Sequence, residues 1–340
     1  MSAPDESGGA PPAARGLRLV RTAPDGAPAP RFSVVVPTYD RADSVGRTLA
    51  SVFDQGFGDF EVVVVDDGST NDTLERLARI DDARLVVATQ PNAGPAAARN
   101  RGMEIARGAH VAFLDSDDRW HPDFLGCVAR LLDAEPDVLV YGQIVVDRGV
   151  GRYWIKPDRA LGESESIYEF LYVHGGFIQT STMVVPARLA REVAWDESVT
   201  FGDNDQFAID CRATGIAFRM LPRALVLYED RIRPDALSQL PIHAGHSPKH
   251  TNFFRWMETR RSHMSERAWL GFSARYLSVG LARRRPVAAA AGLWRAWRAG
   301  AIGPGGVARQ TLQNHAPRLY RRLTDRYVAW RGQPRSGFEP

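Results

Sequence analysis

Four short stretches of this chain hold most of the side chains able to engage a phosphate, a cation or a nucleoside, and each follows directly on an apolar run. Pro37-Thr38-Tyr39-Asp40 follows the run 32–36, Asp66-Asp67-Gly68-Ser69 follows 61–65, the segment from Asn92 and Gly94 to Arg99 and Asn100 follows 84–88, and Asp115-Ser116-Asp117-Asp118 follows 110–114. Three of the four are acidic. Carboxylates crowded together repel one another unless a cation or hydrogen-bond donors compensate. Asp115 and Asp117, flanking the small Ser116, suit a hard divalent ion, Mn2+ or Mg2+. No GxGxxG follows the first apolar run and no GxxxxGK[ST] occurs anywhere, so neither a dinucleotide fingerprint nor a P-loop is present. An acidic edge without a glycine cradle leaves the metal, more than backbone N–H groups, to hold the phosphates. Taken singly, each stretch also has a plainer reading: Asp-Gly-Ser is an ordinary turn and helix cap, and residues 115–118 can cap the helix that follows.

The elements that must position these residues follow from the hydrophobic periodicity. Near-continuous apolar runs at 32–36, 61–65, 84–88 and 110–114 alternate with amphipathic segments at 44–53, 72–80 and 96–107. This is the pattern of a parallel sheet buried on both faces, so residues 32–120 read as a Rossmann-like half. In such a sheet ligands bind beyond the carboxyl ends of the strands, which is where the four stretches fall. Further strands are expected at 137–146, 178–185 and 224–228 and a helix at 205–214, completing the sheet and supplying an acceptor-binding half over 121–240. Residues 1–31, rich in Pro, Ala and Gly, read as a disordered leader, and residues 241–340 as a basic helical C-terminal region broken at Pro286 and Gly303-Pro304-Gly305-Gly306.

Composition narrows the function classes. At 340 residues, 44% apolar and 24% charged, the chain is an ordinary globular protein of one large or two smaller domains. Two cysteines, Cys127 and Cys211, exclude a disulfide scaffold and point to a reducing compartment; with no apolar leader and no long apolar run, a cytoplasmic protein is expected. The net charge of +3 conceals an asymmetry. Residues 260–340 hold sixteen Arg and no Lys against Glu266, Asp325 and Glu339, an excess of thirteen positive charges, which leaves −10 on the first 259 residues. With Lys156 and Lys249 the only lysines, part of this Arg density is compositional bias. Leu312, Leu319, Leu323, Tyr327 and Trp330 share one helical stripe with Arg318, Arg321, Arg322 and Arg326 around it. Such a helix lies on an anionic membrane as a peripheral contact, packs on the catalytic domain, or forms a homodimer.

In their order, the motifs VVVPTYDRADSVGRTLASV, VVVDDGSTNDT, NAGPAAARNRG and VAFLDSDDRWHPDFL resemble the inverting glycosyltransferases of family 2. The resemblance covers residues 32–238. It implies an α/β fold of the GT-A type, a mainly parallel mixed sheet flanked by helices. It also implies a nucleoside-diphosphate sugar donor, UDP-linked by family habit. Pro37 and Tyr39 would wall the base, Asp67 would accept a hydrogen bond from it while Asp66 supports the turn, and Asn92, Gly94 and Arg99 would shape the pocket near the phosphates. Asp115-Ser116-Asp117 would be the DxD motif, Asp115 on the ribose side and Asp117, with Asp115, at the divalent ion bridging the diphosphate.

The second half matches less closely. Phe201-Gly202-Asp203-Asn204-Asp205 resembles the family's acidic motif, whose Asp removes the acceptor proton, but Gly202 stands where Glu is usual. Asp203 and Asp205 are both candidates for the base, with Asp196 a third; Asp203, read as preceding the helix, is preferred. Arg233 occupies the place of a family His that is a metal ligand. Arg cannot bind the cation but can bind diphosphate, and His243, His246 and His250 follow nearby as possible replacements.

The expected activity is therefore metal-dependent transfer of a hexosyl or N-acetylhexosaminyl unit, with inversion, to a hydroxyl or amine of an acceptor that is a glycan, lipid-linked sugar, protein or small natural product. Two alternatives compete. A nucleotidyltransferase making an activated sugar would want a Gly-rich basic loop after the first strand, and Pro37-Thr38-Tyr39-Asp40 is not one. A noncatalytic nucleic-acid binder built on the basic tail lacks a recognisable motif and has an acidic body, so no nucleic-acid partner is expected.

Overall fold

In the computed structural model, residues 16–24, 26–230, 248–282, 284–334 and 338 are described. Ten strands form one sheet: β1 (Arg18–Arg21), β2 (Phe32–Thr38), β3 (Phe60–Asp66), β4 (Leu85–Thr89), β5 (His110–Phe113), β6 (Arg119–Trp120), β7 (Val138–Asp147), β8 (Tyr153–Lys156), β9 (Val184–Pro186) and β10 (Ala217–Glu229). Their order is β1-β4-β3-β2-β5-β9-β7-β10-β6, with β8 paired to β7. The β4-β3-β2-β5 block and the β7-β10 pair are parallel, while β1, β6, β8 and β9 run antiparallel to their neighbours. The α/β fold with a mainly parallel sheet is thus present as expected.

Every residue of β2 and β3 is buried, because helices cover both faces. Successive side chains alternate between two cores: Val34 and Val36 pack with Leu49, Val52 and Phe124 on one side, while Val35 packs with Phe113, Trp195 and Phe207 on the other. The second of these cores, the one around Val35, does not stop at the sheet. Phe253, Met257, Ala268 and Phe272, from the helices Pro248–Thr259 and Glu266–Phe272, belong to it and are 0% exposed. Rings of Phe201, Phe253, Phe272 and Tyr276 meet with centroids 5.4 to 5.9 Å apart, so this part of the basic helical region is built into the α/β body.

Three expectations change. Within the stretch read as a leader, Arg18–Arg21 pairs antiparallel with β4 and closes that edge of the sheet. The expected strand at 178–185 is a 3-10 turn at Thr180–Thr182 followed by the short β9, because the Gln179 side chain accepts a hydrogen bond from the Ser181 N–H and turns the chain. The helix expected from 205 begins two residues earlier, at Asp203.

Candidate active site

The carboxyl ends of β2, β3, β4, β5, β7 and β10 lie along one edge, and the four chemically loaded stretches sit there together. Tyr39, just past β2, is 45% exposed and offers an open ring, whereas Pro37 is buried inside β2 opposite Val65. Asp40, at φ 50°, accepts the Thr70 N–H at 2.7 Å and ties the first loop to the second.

Asp66 and Asp67 are both buried at the end of β3. Asp66 takes the Ser69 N–H at 3.1 Å and the Ser69 hydroxyl, holding the turn as expected. Asp67 accepts Gln90 Nε2 at 2.7 Å, the Ala93 N–H at 2.9 Å and the Gly94 N–H at 2.8 Å. Burial raises its carboxyl above the ordinary value, against the pull of these donors. With three of roughly four acceptor positions filled, Asp67 first shapes the Asn92–Gly94 loop and keeps one lone pair for a ligand. Gly94, at φ 96°, caps the helix Pro95–Ile105 in a conformation closed to other residues. Asn92 is exposed on that loop.

Arg99 is the centre of the arrangement. It projects from the helix Pro95–Ile105, is 4% exposed, and lies 4.4 Å over the Trp195 ring. Its Nη2 donates to Asp115 Oδ1 at 2.8 Å and its Nη1 to Asp203 Oδ2 at 2.6 Å. Burial opposes its charge, but Asp115 and Asp203 together raise its pKa. One guanidinium thus joins the first DxD carboxylate to the preferred base, which lies 104 residues beyond Arg99 in the sequence. Asn100, on the next position, fixes the opposing segment by exchanging hydrogen bonds with the backbone of Trp195 at 2.9 Å.

Asp115, Ser116, Asp117 and Asp118 form the loop after β5. Asp117 faces Arg41 Nη2 at 3.4 Å, and its side chain is 28% exposed. Ser116 is buried between the two DxD carboxylates. Asp118 is buried and accepts Ser181 Oγ at 2.6 Å and Gln179 Nε2 at 3.0 Å; desolvation, then Asp117 and Asp115, push its carboxyl well above the usual range. Among the described residues no three His, Cys, Asp or Glu side chains form a protein-only metal cage. Two partly open carboxylates, Asp115 and Asp117, instead match the way Mg2+ and Mn2+ are commonly held, by one or two carboxylates and completed by substrate phosphate. Thr38 Oγ1, Arg99 Nε, Trp195 Nε1 and Thr200 Oγ1 are buried without hydrogen-bond partners.

The three base candidates separate clearly. Asp196 accepts the Ser198 N–H at 2.9 Å and the Ser198 hydroxyl at 2.7 Å, both on Oδ1. Asp205 is 6% exposed and accepts the Tyr172 hydroxyl at 3.1 Å, with Tyr276 also bonded to it. Burial pushes its pKa up to about 6 despite the nearby Arg275. Asp203 is more open, with its side chain 20% exposed and one oxygen held by Arg99. It is the first residue of its helix, and Gly202, left-handed at φ 71°, is the N-cap, so Asp203 makes no capping bond. Gly202 has a second reason to lack a side chain: a Cβ there would lie 2.6 Å from the Phe253 ring.

Arg233, His243 and His246 lie outside the described residues, as does the side chain of His250. The motif reading missed Trp195, Gln179, Ser181, Tyr172 and the pair Arg275 and Tyr276. The last two stand on the π-turn Ser273–Leu277, a feature that often marks functional sites. No spacing rule connects them to the motifs; only the Trp195 preceding Asp196-Glu197 gave a local signal.

The sheet order and the acidic carboxyl edge define a GT-A type transferase fold. A family model described as "Glycosyl transferase family 2" matches residues 33–197. The amylovoran biosynthesis glycosyltransferase AmsB of Erwinia amylovora is 31% identical over 248 residues, covering 69% of this chain and 79% of AmsB. The chain belongs to glycosyltransferase family 2 and is a glycosyltransferase. The succinoglycan biosynthesis protein ExoW of Rhizobium meliloti is 46% identical over 201 residues, covering 53% of this chain and 63% of ExoW. In fold the chain is similar to S. aureus TarS 1-349 in complex with UDP-GlcNAc, at a TM-score of 0.58 and 18% identity over 88% of this chain and 90% of that one. It is also similar to the mannosyltransferase PcManGT from Pyrobaculum calidifontis in complex with GDP-Man and Mn2+, at 0.55 and 22% over 90% and 87%. Family membership removes the readings of the chain as a nucleotidyltransferase or as a noncatalytic protein.

Proposed function

We propose that the chain transfers a hexosyl or N-acetylhexosaminyl unit from a nucleoside-diphosphate sugar, UDP-linked in the first instance, to a hydroxyl or amine of a growing glycan or lipid-linked sugar, with inversion at the anomeric carbon. The donor class is supported by the UDP-GlcNAc and GDP-Man bound to the two proteins of similar fold. The acceptor class is supported by the names of AmsB and ExoW, both polysaccharide biosynthesis proteins. Free Cys127 and Cys211 fit a reducing, cytoplasmic setting.

The observation that carries this reading is the Arg99 bridge between Asp115 and Asp203. Tyr39 offers its open ring to the base, and the remaining lone pair of Asp67, beside the backbone of Asn92 to Gly94, receives a base N–H. Asp115 and Asp117 would hold Mn2+ or Mg2+, which neutralises the departing diphosphate when bound. Asp203 accepts the acceptor's proton as the acceptor attacks, a role supported by its 20% exposed side chain and its tie through Arg99 to Asp115. Arg99 keeps that carboxylate aimed and prevents it from repelling Asp115. Asp205, with Tyr172 and Tyr276, forms the floor behind it. Arg233 remains a candidate diphosphate contact on sequence grounds.

A donor panel tests the reading: nucleoside-diphosphate release is measured with each sugar nucleotide, with Mn2+ or Mg2+ and with chelator. Asp117→Ala is expected to abolish release while leaving thermal unfolding near that of the wild type, since losing a crowded, partly exposed carboxylate costs little stability. Full release in excess chelator would remove the metal from the mechanism.

A further inference from the structure

Among the described residues, and apart from Leu19, Val20 and Tyr39, every large apolar side chain that is exposed lies between Leu281 and Trp330. The last helix, Pro317–Arg331, shows why. An ordinary surface helix turns its apolar stripe to the core and its charges to water, and this one does the reverse. Arg321, Asp325 and Val328, at spacings of four and three, face the body: Asp325 accepts Arg148 Nε at 2.7 Å, Arg321 donates to the Asp230 carbonyl at 2.6 Å, and Val328 is 1% exposed. Leu319, Leu323, Tyr327 and Trp330 stand on the opposite side and are 45% to 70% exposed. The helix Pro286–Arg298 is apolar on both sides. Ala289, Leu293 and Ala296 are buried, while Val287, Trp294 and Trp297 are open to solvent.

Arginines accompany both stripes. Arg322 and Arg326 flank the last helix's apolar side, Arg298 lies 5.2 Å over the Trp294 ring, and Arg331 lies 4.7 Å over that of Trp330. Trp and Tyr with apolar bodies and polar tips, beside guanidinium groups that pair with phosphate, settle at the headgroup level of a bilayer. Among the described residues no helix is long and apolar enough to cross one. A second copy is a poorer occupant, because a two-fold contact between identical faces would bring the same arginines together, with no acidic side chain on the last helix's outer side to pair them.

We propose that these outward stripes form a docking face for an anionic phospholipid surface. The chain lies on the bilayer by Trp294, Trp297, Tyr327 and Trp330, with Arg298, Arg322 and Arg326 on lipid phosphates. The last helix is pinned at Arg148 and Asp230, the residues directly after β7 and β10, so docking holds the transfer edge close to the membrane. That consequence, a lipid-borne acceptor, rests on the proposed function; the docking itself does not.

The test is flotation of the full chain with vesicles of phosphatidylcholine alone and of phosphatidylcholine mixed with phosphatidylglycerol, at about 0.05 and about 0.5 M salt. Binding is expected only to the anionic vesicles and to fall with salt. Arg322→Glu with Arg326→Glu is expected to weaken it by at least about tenfold. Trp294→Ser, Trp297→Ser and Trp330→Ser together should abolish both binding and quenching of tryptophan fluorescence by brominated lipid. Donor hydrolysis in solution should be unchanged in both variants, which separates a failure of docking from a failure of the enzyme. No binding to anionic vesicles, binding indifferent to lipid charge, or a dimer in light scattering that the triple variant converts to monomer would each overturn the proposal.

Discussion

Arg99→Met removes the guanidinium that joins the two halves of the site while keeping a side chain of similar length over Trp195. Arg99 makes two charge-assisted hydrogen bonds, of 2.8 and 2.6 Å, to carboxylates that are 27% and 20% exposed. Bonds to charged groups contribute about 1.5 to 3 kcal/mol each, and breaking a buried pair costs about 3 to 5 kcal/mol. The partial exposure of both carboxylates lets water recover part of the loss, which places the expected destabilisation at about 3 kcal/mol. At a urea slope of about 3 kcal/mol per M, reasonable for a chain of this size, the midpoint should fall by about 1 M. Activity should fall further than stability alone explains, since Asp203 loses its orientation and Asp115 its neighbour. Arg99→Lys keeps the charge but reaches one carboxylate at a time, so it should recover part of the stability and less of the rate. The assay is urea unfolding of Arg99→Met, Asp203→Asn and the double variant, with kcat/KM alongside. Additive effects of the two substitutions, or a loss below about 1 kcal/mol for Arg99→Met, would refute the bridge.

Asp205→Asn tests the buried floor through pH. Burial pushes the folded-state pKa of Asp205 up to about 6 from the ordinary 3.8, so between these values the folded state keeps a proton that the unfolded state has lost. Stability therefore falls as pH rises from about 4 to about 6, by up to about 3 kcal/mol, and the Asn variant should be the more stable protein at pH 7 and match the wild type below about pH 4. Urea midpoints whose difference does not change with pH would contradict the assignment. Asp67→Asn leaves one oxygen for the Ala93 and Gly94 N–H groups and points an amide at the other; a loss of about 1.5 to 3 kcal/mol is expected, with a raised donor KM. Unchanged donor KM would move the base pocket elsewhere.

The parts of the molecule legible in the sequence are those set by short-range pattern. Two-sided burial makes β2 to β5 continuous apolar runs, and the strand ends then announce the edge where Asp67, Arg99, Asp115 and Asp117 meet. Roles that depend on distant partners were not readable. Nothing around Asp67 reveals that Gln90 and two backbone N–H groups occupy it, and nothing around Arg99 names Asp203 as its partner. Gly202 looked like a departure from the family pattern until its left-handed backbone and the Phe253 ring beside it were placed. The same ring explains why the C-terminal helices looked like an appendage: their core-facing residues are diluted by Arg and by an outward apolar stripe, so periodicity could not say which face was inside. At 178–185 the β-branched residues suggest a strand, but the Ser181 N–H donating to the Gln179 side chain turns the chain locally.

The central claim, inverting transfer with Asp203 as the base, is tested most directly by following the anomeric configuration of the product by NMR while comparing wild type with Asp203→Asn and Asp205→Asn. An α-linked donor should give a β-linked product. Asp203→Asn should lower kcat by about 10² to 10⁴ with donor binding retained, because Asn keeps the shape but cannot take the proton. If Asp205→Asn alone loses activity, the base moves two residues and the reaction stands. A product of retained configuration, or near-normal kcat in both variants, would contradict the account.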